Sequence, residues 1–175
     1  MLGELAWDHA LQDIPEDGLQ VERSATPDER AAVARALDLL SCRSLTANYA
    51  LTRRGGGGVH LSGTVRAEVE QSCVVTLEPL LNEVQESFSV DYWPEGDVPE
   101  PSGGELDMSD EPDLEPIVAG RIEVGNVVFQ AMANGIDLFP RKPGVTFEAP
   151  APDGSDDGSH PAGPFAALAK MKNKR

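Results

Sequence analysis

The fold is decided by three consecutive stretches: "RSLTANYALT", residues 43–52, "RRGGGG", residues 53–58, and "VHLSGTVRAEVE", residues 59–70. Apolar and polar residues alternate in the first and third, which is the period of a strand with one buried and one wet face. The glycine run between them can adopt any tight turn. The pattern predicts an antiparallel hairpin. Its predicted buried side chains are Leu45, Ala47, Tyr49 and Leu51 on one strand, and Val59, Leu61, Gly63, Val65, Ala67 and Val69 on the other.

A third strand and two helices complete the predicted core. Residues 80–93 continue the alternation, and residues 24–40 begin with the T-x-x-E capping box of Thr26 and Glu29, which predicts a helix. A second helix is predicted from Gly125 to Asn134. The buried faces of the two helices are predicted to contain Val33, Leu37 and Leu40, then Val128 and Met132. The predicted fold class is α+β: an antiparallel sheet, hairpin-like or partly closed like a barrel, with two or three helices and long acidic loops.

The charge is unevenly distributed along the chain. The net charge is −16, and residues 94–116 contain nine of the 30 acidic residues and no basic residue. This segment has too few large apolar groups to offset chain entropy, so we expect a mobile acidic loop. The expected organisation is one α+β domain over residues 1–148, a flexible linker over 149–163 and a short C-terminal helix over 164–175.

Several functional classes lack their signatures in this sequence. No P-loop, dinucleotide loop, hydrolase elbow or metalloprotease motif is present, and the three histidines have no evident carboxylate partner, so no catalytic residue is predicted. No export signal and no apolar run of about 20 residues occurs, which predicts a cytoplasmic protein without membrane contact. No cofactor is predicted.

The thiol of Cys73 has two interpretations. A zinc knuckle requires a second sulfur three residues later, where this chain has Thr76. The alternation of the preceding strand instead places Cys73 on the core side, where a free cysteine acts as a small apolar group. The sequence favours the second interpretation and predicts no metal ligand.

Six basic residues are candidates for binding RNA or a partner. No acidic residue occurs from Leu39 to Ala67, although the hairpin contains four arginines, and "FPRKPG" adds two more cations between prolines. The six candidates are Arg43, Arg53, Arg54, Arg66, Arg141 and Lys142. The alternative interpretation is that the hairpin arginines neutralise Glu68, Glu70 and other acids on a solvated face.

Three pieces of the sequence together carry a family resemblance. They are "VEQSCVVTLEPLLNEVQESFSVDYWPE", residues 69–95, "IEVGNVVFQAMANGIDLFPRKPG", residues 122–144, and "PFAALAKMK", residues 164–172. In this order they resemble the YceD family, the large ribosomal RNA subunit accumulation proteins, over residues 60–172. The matching motif residues are Cys73, Asp137, Pro140, Arg141, Pro143, Gly144, Pro164 and Phe165. Many members have C-x-R-C at 73–76, and the departure at Thr76 weakens the family's candidate metal-binding role for this chain.

The resemblance implies a small α+β protein needed for normal levels of large-subunit ribosomal RNA. The first hypothesis is a ribosome-biogenesis factor without catalytic activity, which holds precursor ribosomal RNA or a basic ribosomal protein. One alternative is a metal-dependent nucleic-acid-processing enzyme that uses Cys73 or Asp137. A second is a protein-only adaptor whose acidic loop binds a cationic partner. The choice between RNA and protein, and the oligomeric state, stay open at this point.

Overall fold

A computed structural model describes residues 5–94 and 113–147 of the chain. Contacts divide the chain into two compact units, Met1–Pro143 and Gly144–Arg175, and every element below belongs to the first. The strands are β1 (His9–Ala10), β2 (Leu19–Ser24), β3 (Ser41–Arg53), β4 (Val59–Ser72), β5 (Pro79–Pro94), β6 (Asp113–Ile117) and β7 (Arg121–Ile122), and the helices are α1 (Pro27–Ala36) and α2 (Val124–Gly135).

The main sheet has five strands in the order β2-β3-β4-β5-β6, and β1 pairs separately with β7. All neighbours in the main sheet are antiparallel except β5 and β6, which are parallel. A parallel pair needs a connection of about a dozen residues or more, and the 18 residues between β5 and β6 are enough. The α+β class is confirmed. The prediction of a partly closed, barrel-like sheet was wrong, because β2 and β6 do not pair and remain as the two edges of the sheet.

The predicted antiparallel hairpin is confirmed, and its predicted buried side chains are buried, while Gly63 is half-buried. Leu51 pairs with Leu61 and Ala47 with Val65, and all four side chains are buried in the core. Gly63 lies opposite Tyr49 and Phe88, and a Cβ at this position would be 2.5 Å from the Asn48 carbonyl oxygen and 2.8 Å from Phe88 Cζ. The absence of a side chain at position 63 therefore allows these three strands to pack closely.

Helix α1 begins as predicted and ends earlier than its apolar pattern suggested. The Thr26 side chain accepts a hydrogen bond from the Glu29 amide, and the Glu29 carboxylate accepts one from the Thr26 amide. The helix ends at Ala36, and Asp38 takes a left-handed φ of 52°. Leu40, predicted to be buried, is 58% exposed because the chain has left the helix before reaching it.

Helix α2 and the N-terminal segment cover the apolar face of the sheet. Val128 and Met132 of α2 are fully buried, as predicted. Trp7 and Ile14, for which the sequence pattern gave no location, are also buried core residues. The Trp7 indole donates a hydrogen bond to the Glu29 carboxylate, which connects the N-terminal segment to the start of α1.

Three predicted segments fall wholly or partly outside the described residues. Pro94 and residues 113–116, predicted as the two ends of the acidic loop, belong to β5 and β6 instead, because these strands pair with each other. The rest of that loop (residues 95–112), the linker over 149–163 and the helix over 164–175 lie outside the part of the chain that the structure describes. Neither α1 nor α2, the two α-helices of that part, is long and apolar enough to cross a membrane.

Candidate functional site

The turn between β4 and β5 forms the first half of the candidate site. The Cys73 amide donates to the Glu78 carbonyl at 2.9 Å, and the Leu77 amide donates to the Cys73 carbonyl at 2.9 Å. Leu77 takes a left-handed φ of 59° and is strongly exposed. The alternation that placed Cys73 on the core side therefore does not continue beyond it, since β4 ends at Ser72 and the chain turns.

The loop after α2 contacts this turn and forms the second half. The Val74 amide donates to the Pro140 carbonyl at 2.9 Å, and the Lys142 amide donates to Cys73 Sγ at 3.5 Å. Lys142 Nζ also donates to Glu78 Oε2 at 2.7 Å. We call these two segments, residues 73–78 and 137–142, the joined tip. Two pieces of the family motif, about 70 residues apart in sequence, are thus brought together at one end of the sheet.

A buried amide side chain links the joined tip to the sheet. Gln71 Nε2 donates to the Asp137 carbonyl at 2.8 Å, and Gln71 Oε1 accepts from Asn82 Nδ2 at 2.7 Å. Gln71 is 8% exposed, and both of its hydrogen bonds are at least partly buried. A buried polar side chain is costly unless it is hydrogen-bonded, and here both ends of the amide have a partner. The sequence analysis did not single out this residue.

Cys73 is buried and free, as the sequence predicted, but it acts as a hydrogen-bond acceptor rather than as apolar filler. The Thr76 hydroxyl, together with the backbone amides of Lys142, Thr76 and Val75, lowers the pKa of the Cys73 thiol to about 6. Hydrogen bonds to the charged form of a group favour that form. The sulfur therefore accepts hydrogen bonds from both halves of the joined tip, mainly as a thiolate at neutral pH.

The surroundings of Cys73 do not fit a metal ion. The groups directed at its sulfur are a hydroxyl and backbone amides, and Thr76 stands where a second sulfur would be needed. The Asp137 carboxylate accepts from the Phe139 amide at 2.9 Å. Within residues 5–94 and 113–147 no three His, Cys, Asp or Glu side chains could hold a metal ion.

Three further motif residues, Pro140, Pro143 and Gly144, lie in or directly after the loop that follows α2. Pro140 is buried, and its carbonyl accepts the hydrogen bond from Val74. Pro143 is exposed, and Gly144 takes a left-handed φ of 78°, which favours glycine. Pro164 and Phe165 lie outside the described residues.

The six basic candidates do not form a single cluster. Arg43 lies at the end of the sheet that carries the joined tip, and Arg53 ends the same strand ten residues later, roughly 34 Å away. Arg53 points inward, where it donates to the Leu11 and Ile14 carbonyls at 2.8 and 2.9 Å. Of the two arginines at the hairpin turn, Arg54 is therefore the more exposed.

Most of these cations already have a partner within the chain. Arg43 pairs with Glu70 at 2.5 Å and Arg54 with Asp91 at 3.1 Å, while Lys142 pairs with Glu78. Arg66 Nε donates to Gln85 Oε1 at 3.0 Å. Arg141 is exposed and makes no ion pair with the described residues. The interpretation in which the hairpin arginines neutralise nearby acids thus agrees with the positions of Arg43 and Arg54.

One histidine has a carboxylate partner that the sequence analysis missed. His60 Nδ1 lies 2.6 Å from Asp91 Oδ1, and Arg54 contacts the same carboxylate oxygen. His60 and Asp91 are directly opposite each other on β4 and β5. Their pairing follows from the strand register, which the positions of the two residues in the sequence do not reveal.

A cavity of about 150 Å³ lies between β5, β6 and α2 and has an acidic lining. Glu115 and Glu123 line it together with Tyr92, Asn126 and Gln130. Burial, and then the charges of Glu115 and Glu123, raise the pKa of Tyr92 well above its ordinary value. Among the described lining residues, the carboxylates of Asp113, Glu115 and Glu123 outnumber the one cation, Arg121. Arg121 also pairs with Asp8, so the lining disfavours a phosphate group.

Comparison with known proteins confirms the family resemblance. The model for the family described as "Large ribosomal RNA subunit accumulation protein YceD" matches residues 61–172, which is more than half of the chain and includes the joined tip. No curated protein and no solved structure matches this chain. The chain belongs to the YceD family of large ribosomal RNA subunit accumulation proteins.

Proposed function

We propose that this chain supports the accumulation of large-subunit ribosomal RNA without catalysing a reaction, by binding a basic protein of the large subunit in the cytoplasm. The family name connects the chain to large-subunit RNA, and we infer the binding partner from the charges of the chain. The observation that supports a protein partner is that five of the six candidate cations already make an ion pair or a hydrogen bond within the chain.

The electrostatics favour a cationic protein over RNA. Affinity for RNA depends on cations that neutralise phosphates, and an adjacent carboxylate lowers the positive potential that a phosphate meets. Arg43, Arg54 and Lys142 each have such a carboxylate within 3.1 Å. A net charge of −16 adds long-range repulsion of a polyanion and attraction of a basic protein. Arg141 is the exposed cation that favours the RNA alternative.

The hypothesis of a metal-dependent nuclease has little support in the site. Its two proposed residues are used otherwise, since Cys73 is buried against backbone amides and the Asp137 carboxylate accepts from Phe139. We therefore keep the non-enzymatic role. Purified chain incubated with precursor ribosomal RNA and Mg²⁺ or Zn²⁺ should leave the RNA intact, and specific cleavage products would contradict this role.

Crosslinking in cells tests the choice of partner. The tagged chain is crosslinked and purified under denaturing conditions, and the attached RNA is sequenced while the attached proteins are identified by mass spectrometry. We expect basic large-subunit proteins to be enriched over a tagged acidic protein of equal size. Enrichment of large-subunit RNA alone would instead support direct RNA binding.

A further inference from the structure

We infer that the joined tip is the surface through which this chain docks into an apolar recess on a cationic protein. The inference rests on the proposed function and extends it by naming the contact surface. Four large apolar side chains of the joined tip are exposed. They are Leu77 (77%), Leu138 (77%), Phe139 (69%) and Val74 (43%).

The backbone that carries these side chains is fixed by hydrogen bonds rather than being a loose loop. The two segments are connected by the hydrogen bonds of Val74 to Pro140 and of Lys142 to Cys73. The Asp137 carboxylate accepts from the Phe139 amide, and Gln71 fixes the Asp137 carbonyl. A preorganised apolar surface loses little conformational entropy on binding, which is what a docking surface requires.

The left-handed backbone conformation of Leu77 costs folding free energy, and burial of its side chain does not offset this cost. A non-glycine residue in the left-handed region costs about 1 kcal/mol or more, and glycine or asparagine would fit there more easily. Leu77 nonetheless takes a φ of 59°, and its exposed side chain gains little from burial. Large exposed apolar side chains on two hydrogen-bonded segments are a feature of protein contact surfaces.

The charges decide which partner fits. Beside the apolar side chains, Lys142 is neutralised by Glu78, and Asp137 offsets Arg141 in the local charge. With the Cys73 thiolate counted, the joined tip has one negative charge in excess, which suits an apolar recess on a cationic protein. The net charge of −16 attracts such a protein from a distance. Of the four apolar side chains, only Phe139 offers a ring on which a base could stack, so single-stranded RNA fits less well.

The test compares variants of the full chain in binding to two purified probes. The probes are the total protein of the large ribosomal subunit, freed of RNA, and the precursor large-subunit RNA. The tip variant is Leu77→Asn with Phe139→Ser, because asparagine tolerates the left-handed backbone at position 77. The matched control is Val118→Ser, which removes an exposed apolar side chain (60%) near the opposite end of the sheet.

We expect the unchanged chain and Val118→Ser to retain the same basic proteins, and the tip variant to retain them at least about tenfold more weakly. If the tip variant retains them equally, the inference about the joined tip fails and the proposed function stands. If the unchanged chain retains RNA and no basic protein, both fail. If the unchanged chain forms a dimer and the tip variant does not, the joined tip binds a second copy of this chain, and the inference is also overturned.

Thermal unfolding of each variant separates loss of contact from loss of fold. The tip variant should unfold within a few degrees of the unchanged chain, because both replaced side chains are exposed. If the tip variant unfolds at a much lower temperature, the single variant Leu77→Asn is used in its place. This single variant should retain the basic proteins about threefold or more weakly than the unchanged chain. Retention equal to that of the unchanged chain would then refute the inference.

Discussion

Replacing Gln71 with alanine tests whether this buried amide holds the joined tip on the sheet. The substitution removes the donor to the Asp137 carbonyl (2.8 Å) and the acceptor for Asn82 (2.7 Å). Each buried hydrogen bond contributes about 1 kcal/mol, and a partner left unsatisfied adds to the loss. We expect the free energy of unfolding to fall by about 2–3 kcal/mol, with a melting temperature lower by about 4–10 °C.

The matched control is Gln85→Ala, since Gln85 is an exposed residue of β5 whose hydrogen bond to Arg66 lies in solvent. It should change the free energy of unfolding by about 0.5 kcal/mol or less. Urea unfolding measures both variants, and hydrogen exchange adds a local readout. The amides of Val74 and Lys142, which donate across the joined tip, should exchange faster in Gln71→Ala. Stability and exchange equal to the unchanged chain would refute this role of Gln71.

Three further changes test other parts of the fold. Gly63→Ala should lower the free energy of unfolding, measured in urea, by about 1–3 kcal/mol, because the new Cβ would lie 2.5 Å from a backbone oxygen. The control Gly55→Ala places its Cβ where no atom lies within 4 Å, and its effect should be smaller. Equal effects of the two substitutions would contradict the close packing at Gly63. The folded pKa of the Cys73 thiol, about 6, lies below its ordinary value near 9. Ionisation of this thiol therefore stabilises the fold increasingly as the pH rises from 6 to 9, and this contribution is lost as the pH falls to 6. The stability difference between the unchanged chain and Cys73→Ser should therefore grow over this range, and a constant difference in urea titrations would count against the thiolate. Thr26→Ala removes the cap of α1 and should cost about 1 kcal/mol in thermal unfolding, while no loss would show that the cap is dispensable.

The candidate site was only partly predictable from sequence. The family motif pointed to Cys73 and to the loop from Asp137 to Gly144, and the two halves do meet. The apolar side chains of the joined tip were missed, although the leucine and phenylalanine that follow α2 directly before a proline were a readable signal. The basic residues were chosen by their separation from acids in sequence. Their pairing with Glu70 and Asp91 depends on strand register, which sequence distance does not report.

The sequence by itself determined the local elements, because alternation, helical spacing and capping are properties of neighbouring residues. The hairpin of β3 and β4, the start of α1 and the extent of α2 follow from such patterns. Only the tertiary structure decided that β6 runs parallel to β5, that Arg53 turns inward and that two distant segments form one tip. These features arise from pairings between residues 23 to 69 positions apart, and no local pattern specifies which distant groups will meet.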